Sequence, residues 1–414
     1  MYPSMSSQNA SLTAPSLAQH YRDVRALSMD IAAPLSAEDQ NVQSMPDASP
    51  IKWHLAHTTW FFEKMILSRE PGYEPFDARF DAIFNSYYLG LGTPFTRANR
   101  GLLTRPSAAE VAAYRAHVDA AMEKMLPHAG PERRALTILG LNHEQQHQEL
   151  MLTDIKHAFF HNPLLPAYRP ASPEAMDATP ALDWIEHPGG VAQAGYAGRD
   201  FAFDNEGPRH DVLLRPFKLA SRLVTNGEYS AFIEDGGYAR SDLWLSDGWA
   251  LAQREGWKAP LYWLEDGQHF TLNGVRPINA GEPVAHVSFF EAAAYAAWAG
   301  KRLPTEFEWE AIAQAHPTAG QFLDLDHLHP RAANGETRLL GDAWAWTRSS
   351  YDPYPGFQPF DGKLAEYNGK FMVSQLVLRG GSCATPADHI RTTYRNFFPP
   401  SARWQFSGIR LAED

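Results

Sequence analysis

His143-Glu144-Gln145-Gln146-His147 places two imidazoles four residues apart. On a helix that spacing sends both side chains from one face. A pair so placed can grip one metal ion, and neutral imidazole suits zinc, copper, iron and nickel alike, so the pair alone does not name the metal. The string is also a literal H-E-x-x-H, in which Glu144 would be the general base of a zinc hydrolase. The longer metzincin form needs Gly three residues and His six residues after the second His. Here those positions hold Leu150 and Thr153, so that version fails. A third ligand is available upstream in Trp53-His54-Leu55-Ala56-His57. Metal ligands in helix bundles commonly come from facing helices and point inward. A set of His57, His143 and His147 would leave positions open for oxygen and a substrate atom. Three neutral ligands leave an iron more positive than the familiar two-histidine, one-carboxylate set does. That favours an anionic thiolate or selenolate as a further ligand. By spacing alone His54 competes with His57.

These residues need helices to hold them, and the first 165 or so residues read as helices. Leu17 to Ala33 is amphipathic and stops before Pro34. Ser49-Pro50 reads as an N-cap with a first-turn proline, opening a helix to about Leu67. Ser107 and Glu110 form a capping box. Pro131 opens a long helix to about Phe160. Four such helices with one long Glu70–Arg105 connection predict a four-helix bundle. Prolines 163, 166, 170, 173 and 180 then interrupt any regular helix. From Trp184 the pattern changes to short strand-like runs, glycine turns and aromatics, with helices expected over Phe289–Ala299 and Thr305–Ala315. The expected organisation is a flexible tail (1–15), a helical bundle carrying the metal histidines (16–165), a Pro-rich linker (166–183) and an α+β domain (184–414).

Composition bounds the function. A chain of 414 residues with a net charge of −12 is unlike a nucleic-acid binder that neutralises phosphates. No apolar run is long enough for a membrane span, and Met1 to Pro15 lacks the pattern of a signal peptide. One cysteine, Cys383, forms no internal disulfide. A cytoplasmic enzyme acting on small molecules is the expectation.

Several strings converge on one family: Trp53 to His57, Phe84-Asn85-Ser86-Tyr87-Tyr88, Arg100-Gly101-Leu102-Leu103, His143 to His147, Trp298-Ala299-Gly300-Lys301-Arg302-Leu303-Pro304-Thr305-Glu306, Leu378-Arg379-Gly380-Gly381-Ser382, Tyr394-Arg395-Asn396-Phe397-Phe398 and the closing Gly408-Ile409-Arg410-Leu411-Ala412. From about Leu17 onward the chain resembles the non-haem iron hercynine oxygenases, which include ergothioneine-type sulfoxide synthases and selenoneine-forming relatives. The resemblance implies a DinB-like four-helix bundle joined to a domain like the formylglycine-generating enzymes, itself similar to a C-type lectin. It implies Fe(II) on His57, His143 and His147, with O2 as co-substrate; the preference for His57 over His54 comes from the resemblance. Formylglycine generation itself uses two cysteines, which a chain holding only Cys383 does not have. The family's Gly-Asn-x-Trp-Glu-Trp turn, linked to calcium in some relatives, reads Gly341-Asp342-Ala343-Trp344-Ala345-Trp346 and lacks the glutamate.

The same resemblance assigns the substrate pocket. Hercynine carries a trimethylammonium group with no N–H, which aromatic faces can hold. Asn396 and Phe397 match positions that face this group, and Phe398 matches a neighbour on the donor side. Gln146 matches a residue near the hercynine imidazole. Tyr87 and Tyr88 match a tyrosine pair near the iron. A phenol there can donate a proton or an electron, and Tyr88 is slightly favoured. Arg97 and Arg100 lie in the loop that grips the donor carboxylate in sulfur-using relatives. That loop here reads Thr93-Pro94-Phe95-Thr96-Arg97-Ala98-Asn99-Arg100-Gly101, one arginine and one histidine short of the family pattern. Leu89 replaces a common Glu, and Val373-Ser374-Gln375 replaces a common Cys-Asn-Gln. These departures cluster on the donor side, and a selenosugar would need fewer cations. The resemblance therefore points to hercynine plus a selenium donor, with cysteine or γ-glutamylcysteine as the alternative. A zinc hydrolase and a metal-stabilised binding module are the rival classes.

Overall fold

The computed structural model describes residues 14–86, 88–170, 180–316, 320–333 and 337–414. Tyr87, nearly all of the expected tail and residues 171–179 of the expected linker lie outside the described residues. Contacts divide the chain into two units. The first runs to Leu164 and takes in Gly198–Ala202 and Gln358–Gly369; the second holds Leu165–Ala197, Phe203–Phe357 and Lys370–Asp414.

The first unit is built on helices α1 (Ala14–Ala32), α2 (Ile51–Met65), the short α3 (Phe80–Phe84), α4 (Ala108–Met125) and α5 (Pro131–Phe160). Ser107 opens α4 through a reciprocal box: its hydroxyl accepts from the Glu110 N–H, and the Glu110 carboxylate accepts from the Ser107 N–H. Pro131 sits in the first turn of α5, where its missing N–H costs nothing. The start of α2 differs from expectation. Pro50, not Ser49, is the N-cap, with extended backbone at φ −59° and ψ 145°. Ser49 is engaged elsewhere: its hydroxyl accepts from Arg100 Nη1 (2.9 Å) and its N–H donates to Asp154 (2.8 Å).

A buried polar knot ties the four long helices together. Glu144 on α5 accepts from Arg25 on α1 (2.8 Å), Arg115 on α4 (2.8 Å) and Ser28 (2.7 Å). Both arginines also reach Thr59 on α2. Burial alone would raise the Glu144 carboxyl, but the two guanidinium groups hold it down at about 2. Gly140 sets how closely α5 approaches α2. A Cβ there would stand 2.6 Å from the Phe62 ring, so only glycine fits, at a cost of ~1 kcal/mol in helix propensity.

The second unit is α+β. Trp184–His187 pairs antiparallel with Phe217–Ala220, which pairs in turn with Ala412–Glu413. A four-stranded sheet runs in the order Asn396–Phe398, Leu376–Arg379, Trp344–Ser350, Ser407–Gly408, its last pairing parallel. Its core includes Phe217, Leu219, Trp309, Ile312 and Leu340. The helices are α6 (Asn226–Glu234), α7 (Ser246–Glu255), α8 (Phe289–Trp298) and α9 (Glu306–Ala313). Only α8 and α9 were expected. Yet α6 opens with the same kind of capping box, Thr225 with Glu228, as Ser288 with Glu291 and Thr305 with Glu308. The leader of α7, Leu245, makes no side-chain cap.

Candidate metal centre

His57 on α2 and His143 and His147 on α5 converge, with one ring nitrogen of each within 4.8 Å of the others. His57 Nε2 stands 3.2 Å from His143 Nε2. Each imidazole is disposed to stay neutral. Burial pushes all three below the ordinary histidine range, His143 to about 4, and for His57 and His147 the neighbouring His143 adds to the effect.

Hydrogen bonds fix which nitrogens face inward. His57 Nδ1 lies 2.6 Å from the Phe84 carbonyl, an acceptor only, so Nδ1 carries the proton and Nε2 keeps its lone pair. His54 Nε2 faces the Asp154 carboxylate at 3.0 Å, and His54 Nδ1 faces His147 Nδ1 at 2.7 Å. The proton on His54 then sits on Nε2, and His147 donates from Nδ1. This leaves His147 Nε2 with a lone pair. His54 therefore orients His147: His147 leans on His54, and His54 on Asp154. Such carboxylate–histidine supports set tautomer and ring orientation in metal sites.

The faces of His57 are clamped as well. Trp53 stacks on one side at 4.7 Å and 13°, and Trp60 at 5.7 Å and 16°. Both indoles are anchored, Trp53 to the Ile83 carbonyl and Trp60 to Asp81. The donor set is thus three neutral, preorganised nitrogens, which fits a divalent transition metal. Glu144 turns away into the Arg25–Arg115 knot. The general-base reading of H-E-x-x-H is thereby overturned: a carboxylate held at about 2 by two buried arginines does not take a proton from water.

The other expected residues fall in several places. Tyr88 is fully buried, its ring 5.9 Å from that of Trp60 and tilted by 33° to it. Gln146 is half-buried and accepts from the Tyr367 hydroxyl at 2.7 Å. Tyr367, whose ring lies 5.9 Å from His143, had no signal in the sequence, because Gln358–Gly369 joins this unit from a distant irregular stretch. Glu366 beside it accepts the Leu89 and Gly90 N–H groups, both at 3.1 Å. Asp154 was legible: it follows His147 by two helical turns on the same face.

Neither loop arginine presents an open fork. Arg97, half-exposed, is tied to Asp47. Arg100 is buried, lies 3.4 Å over the Trp53 ring, and donates to Ser49 and Ser86. Burial and the nearby Arg97 lower it to about 9. In the second unit, Asn396 and Phe398 share one face of their strand, and Phe397 takes the other. Phe397 stacks on Tyr351 at 4.0 Å and 10°, and Phe398 meets Trp404 edge-on at 6.0 Å. The Asp342 carboxylate is taken by the Arg331 N–H and Arg338.

Comparisons with known proteins agree with this architecture. Residues 20–161 match the DinB superfamily, and residues 171–338 and 327–414 match the sulfatase-modifying factor enzyme 1-like domain. The hercynine oxygenase of Mycolicibacterium thermoresistibile is 35% identical over 408 residues, covering 89% of this chain and 88% of that protein. The chain belongs to the hercynine oxygenase family. The hercynine oxygenase of Mycobacterium tuberculosis is likewise 35% identical, over 89% of this chain and 92% of its own length. Ergothioneine biosynthesis protein 1 of Schizosaccharomyces pombe is 29% identical over 52% of this chain and 28% of its own. As a member of that family the chain is an oxygenase, joining a DinB-like helical domain to a sulfatase-modifying-factor-like domain. Among the described residues, no helix is long and apolar enough to cross a membrane.

Proposed function

We propose that this hercynine oxygenase joins a chalcogen to the imidazole of hercynine using Fe(II) and O2, with a selenosugar as the donor. Fe(II) would be held by His57, His143 and His147 and, when bound, supplies the site that activates dioxygen. The overall change forms one carbon–chalcogen bond, removes the imidazole C–H hydrogen and the chalcogen hydrogen, places one oxygen atom on the chalcogen and releases the other as water. Atoms and electrons balance without a further reductant.

The residues of the chain supply position and protons. Three neutral ligands leave the full charge of the ion to attract a selenolate or thiolate. Tyr88, buried beside Trp60, is the proton donor of the reaction. Tyr367 donates to Gln146 Oε1 and so fixes the amide that faces the hercynine ring. Asn396, Phe397 and Phe398 serve hercynine and donor binding, with aromatic faces suited to a trimethylammonium group. The reaction belongs in the cytoplasm.

One observation carries the choice of donor: Arg97 is bound to Asp47, and Arg100 is buried against Trp53, Ser49 and Ser86. A donor with an amino-acid carboxylate would need such a fork, whereas a neutral sugar does not. The alternative, an ergothioneine-type sulfoxide synthase, is favoured by the relatives' names. The test is anaerobically iron-loaded protein given hercynine and air, with cysteine, γ-glutamylcysteine, a thiosugar or a selenosugar in parallel, read by mass spectrometry. A carbon–selenium adduct confined to the selenosugar supports the proposal, and a sulfoxide adduct from cysteine or its γ-glutamyl form overturns the donor assignment. Tyr88→Phe should keep its metal but divert oxygen into oxidised donor.

A further inference from the structure

A second set of metal-type ligands lies in the other unit, and nothing in the oxygenase reaction calls for it. His269, Glu282 and His329 bring one ligand atom each to within 4.8 Å of the other two. Four-coordinate zinc with bonds near 2.0–2.1 Å holds its ligand atoms roughly 3.4 Å apart, a spacing that the Glu282–His329 pair already has. His269 and Glu282 are 4% and 3% exposed, and the His329 side chain 11%. Glu282 Oε2 stands 3.3 Å from His329 Nε2, and the two imidazole rings meet edge to face at 4.9 Å.

The surroundings are those of a supported site. His269 lies on the strand Gln268–Thr271, directly across from Arg276 on Gly274–Pro277. Arg276 Nη2 donates to both Glu282 oxygens, at 2.9 and 2.8 Å. The carboxylate thus has its counter-charge already, and neither imidazole is needed there as a cation. The backbones are pinned too: the Glu282 carbonyl accepts from the Asn226 N–H, and the His329 carbonyl from Gln321. The Arg276 bonds orient the Glu282 carboxylate as outer-shell partners orient metal ligands, and the backbone bonds fix where Glu282 and His329 enter the cluster.

We infer that His269, Glu282 and His329 bind a divalent metal of the zinc class, which cross-links the 268–277 hairpin, the turn at Glu282 and the loop at His329. Two histidines and one carboxylate suit zinc, with water in the fourth position. With one position left to water the site is of the open kind, and its metal ties together three segments otherwise held by short strands and loops.

The experiment titrates chelator-treated full-length protein with Co(II), following the visible absorption of four-coordinate cobalt and counting bound metal by mass spectrometry. Wild type should take up two equivalents. His143→Ala, which empties the bundle site, should still bind one, and addition of Zn(II) should raise its melting temperature. Adding His269→Ala or Glu282→Ala to His143→Ala should abolish that uptake. A wild type that binds one equivalent together with a His143→Ala that binds none overturns the proposal. So does an equivalent that survives in the double variants. If the double variants do not fold, His143→Ala alone decides, since its second cluster is intact.

Discussion

The two histidine clusters differ in how their ligands are held. In the bundle, three imidazoles ride on two helices, backed by Phe84, by His54 with Asp154, and by two stacked indoles. In the second unit, two imidazoles and a carboxylate come from a short hairpin and two loops, with Arg276 balancing the charge. Helical periodicity makes the first set visible in the sequence, because His143 and His147 must share a face. No period links His269, Glu282 and His329, whose meeting depends on the tertiary fold. The all-imidazole set leaves an ion's charge uncompensated for substrate, whereas the carboxylate in the other set offsets part of it.

The largest test of this contrast removes a ligand. His57→Ala should lose the bundle metal and all turnover while the second cluster still loads; metal counting per chain checks both at once. Full occupancy after His57→Ala would place the third ligand at His54 instead. Next is the knot behind α5. Glu144→Ala leaves Arg115 without a carboxylate in the bundle interior and Arg25 with Asp119 alone, and should cost about 3–5 kcal/mol in denaturant unfolding, as breaking buried pairs does. Unchanged unfolding free energy in Glu144→Ala would show that the knot does not hold the bundle together. Asp154→Asn acts through His54 and should weaken metal binding at the triad by about 10–100-fold, leaving Co(II) affinity at the second cluster unchanged. The smallest effect is a pH dependence remote from both clusters. His157, next to Ser44 and His161, is lowered to about 4, first by burial and then by His161. The unfolded chain takes up that proton near 6.5 and the folded one near 4, so stability is full above 6.5 and falls as pH drops towards 4. At pH 5 the loss is about 1–2 kcal/mol, discounted for partial exposure. His157→Asn should flatten the melting temperature over that window.

Much of the bundle was legible because local chemistry and global fold agree. Ser107 with Glu110, and Pro131 at the head of α5, mark their helices outright. Ser49 misled by one residue: its hydroxyl and N–H serve Arg100 and Asp154, contacts that sequence spacing does not display. The three histidines that converge were visible, and Asp154 was there to be read two turns along the same face. Tyr367 was not, since an irregular stretch joining the first unit from afar has no period to follow. The arginines illustrate the same limit. Their residue type suggests a carboxylate fork, and only the structure reveals that Asp47, Ser49, Ser86 and Trp53 already engage them.

The clamp on His57 bears on exchange kinetics. A ligand ring pressed between two anchored indoles cannot swing aside unless both buried tryptophans move. An ion held by this triad would leave slowly by that route, so occupancy would reflect the metal first loaded more than the metal in the buffer. Protein first loaded with another divalent metal would then exchange it slowly, at a rate that a competing chelator measures.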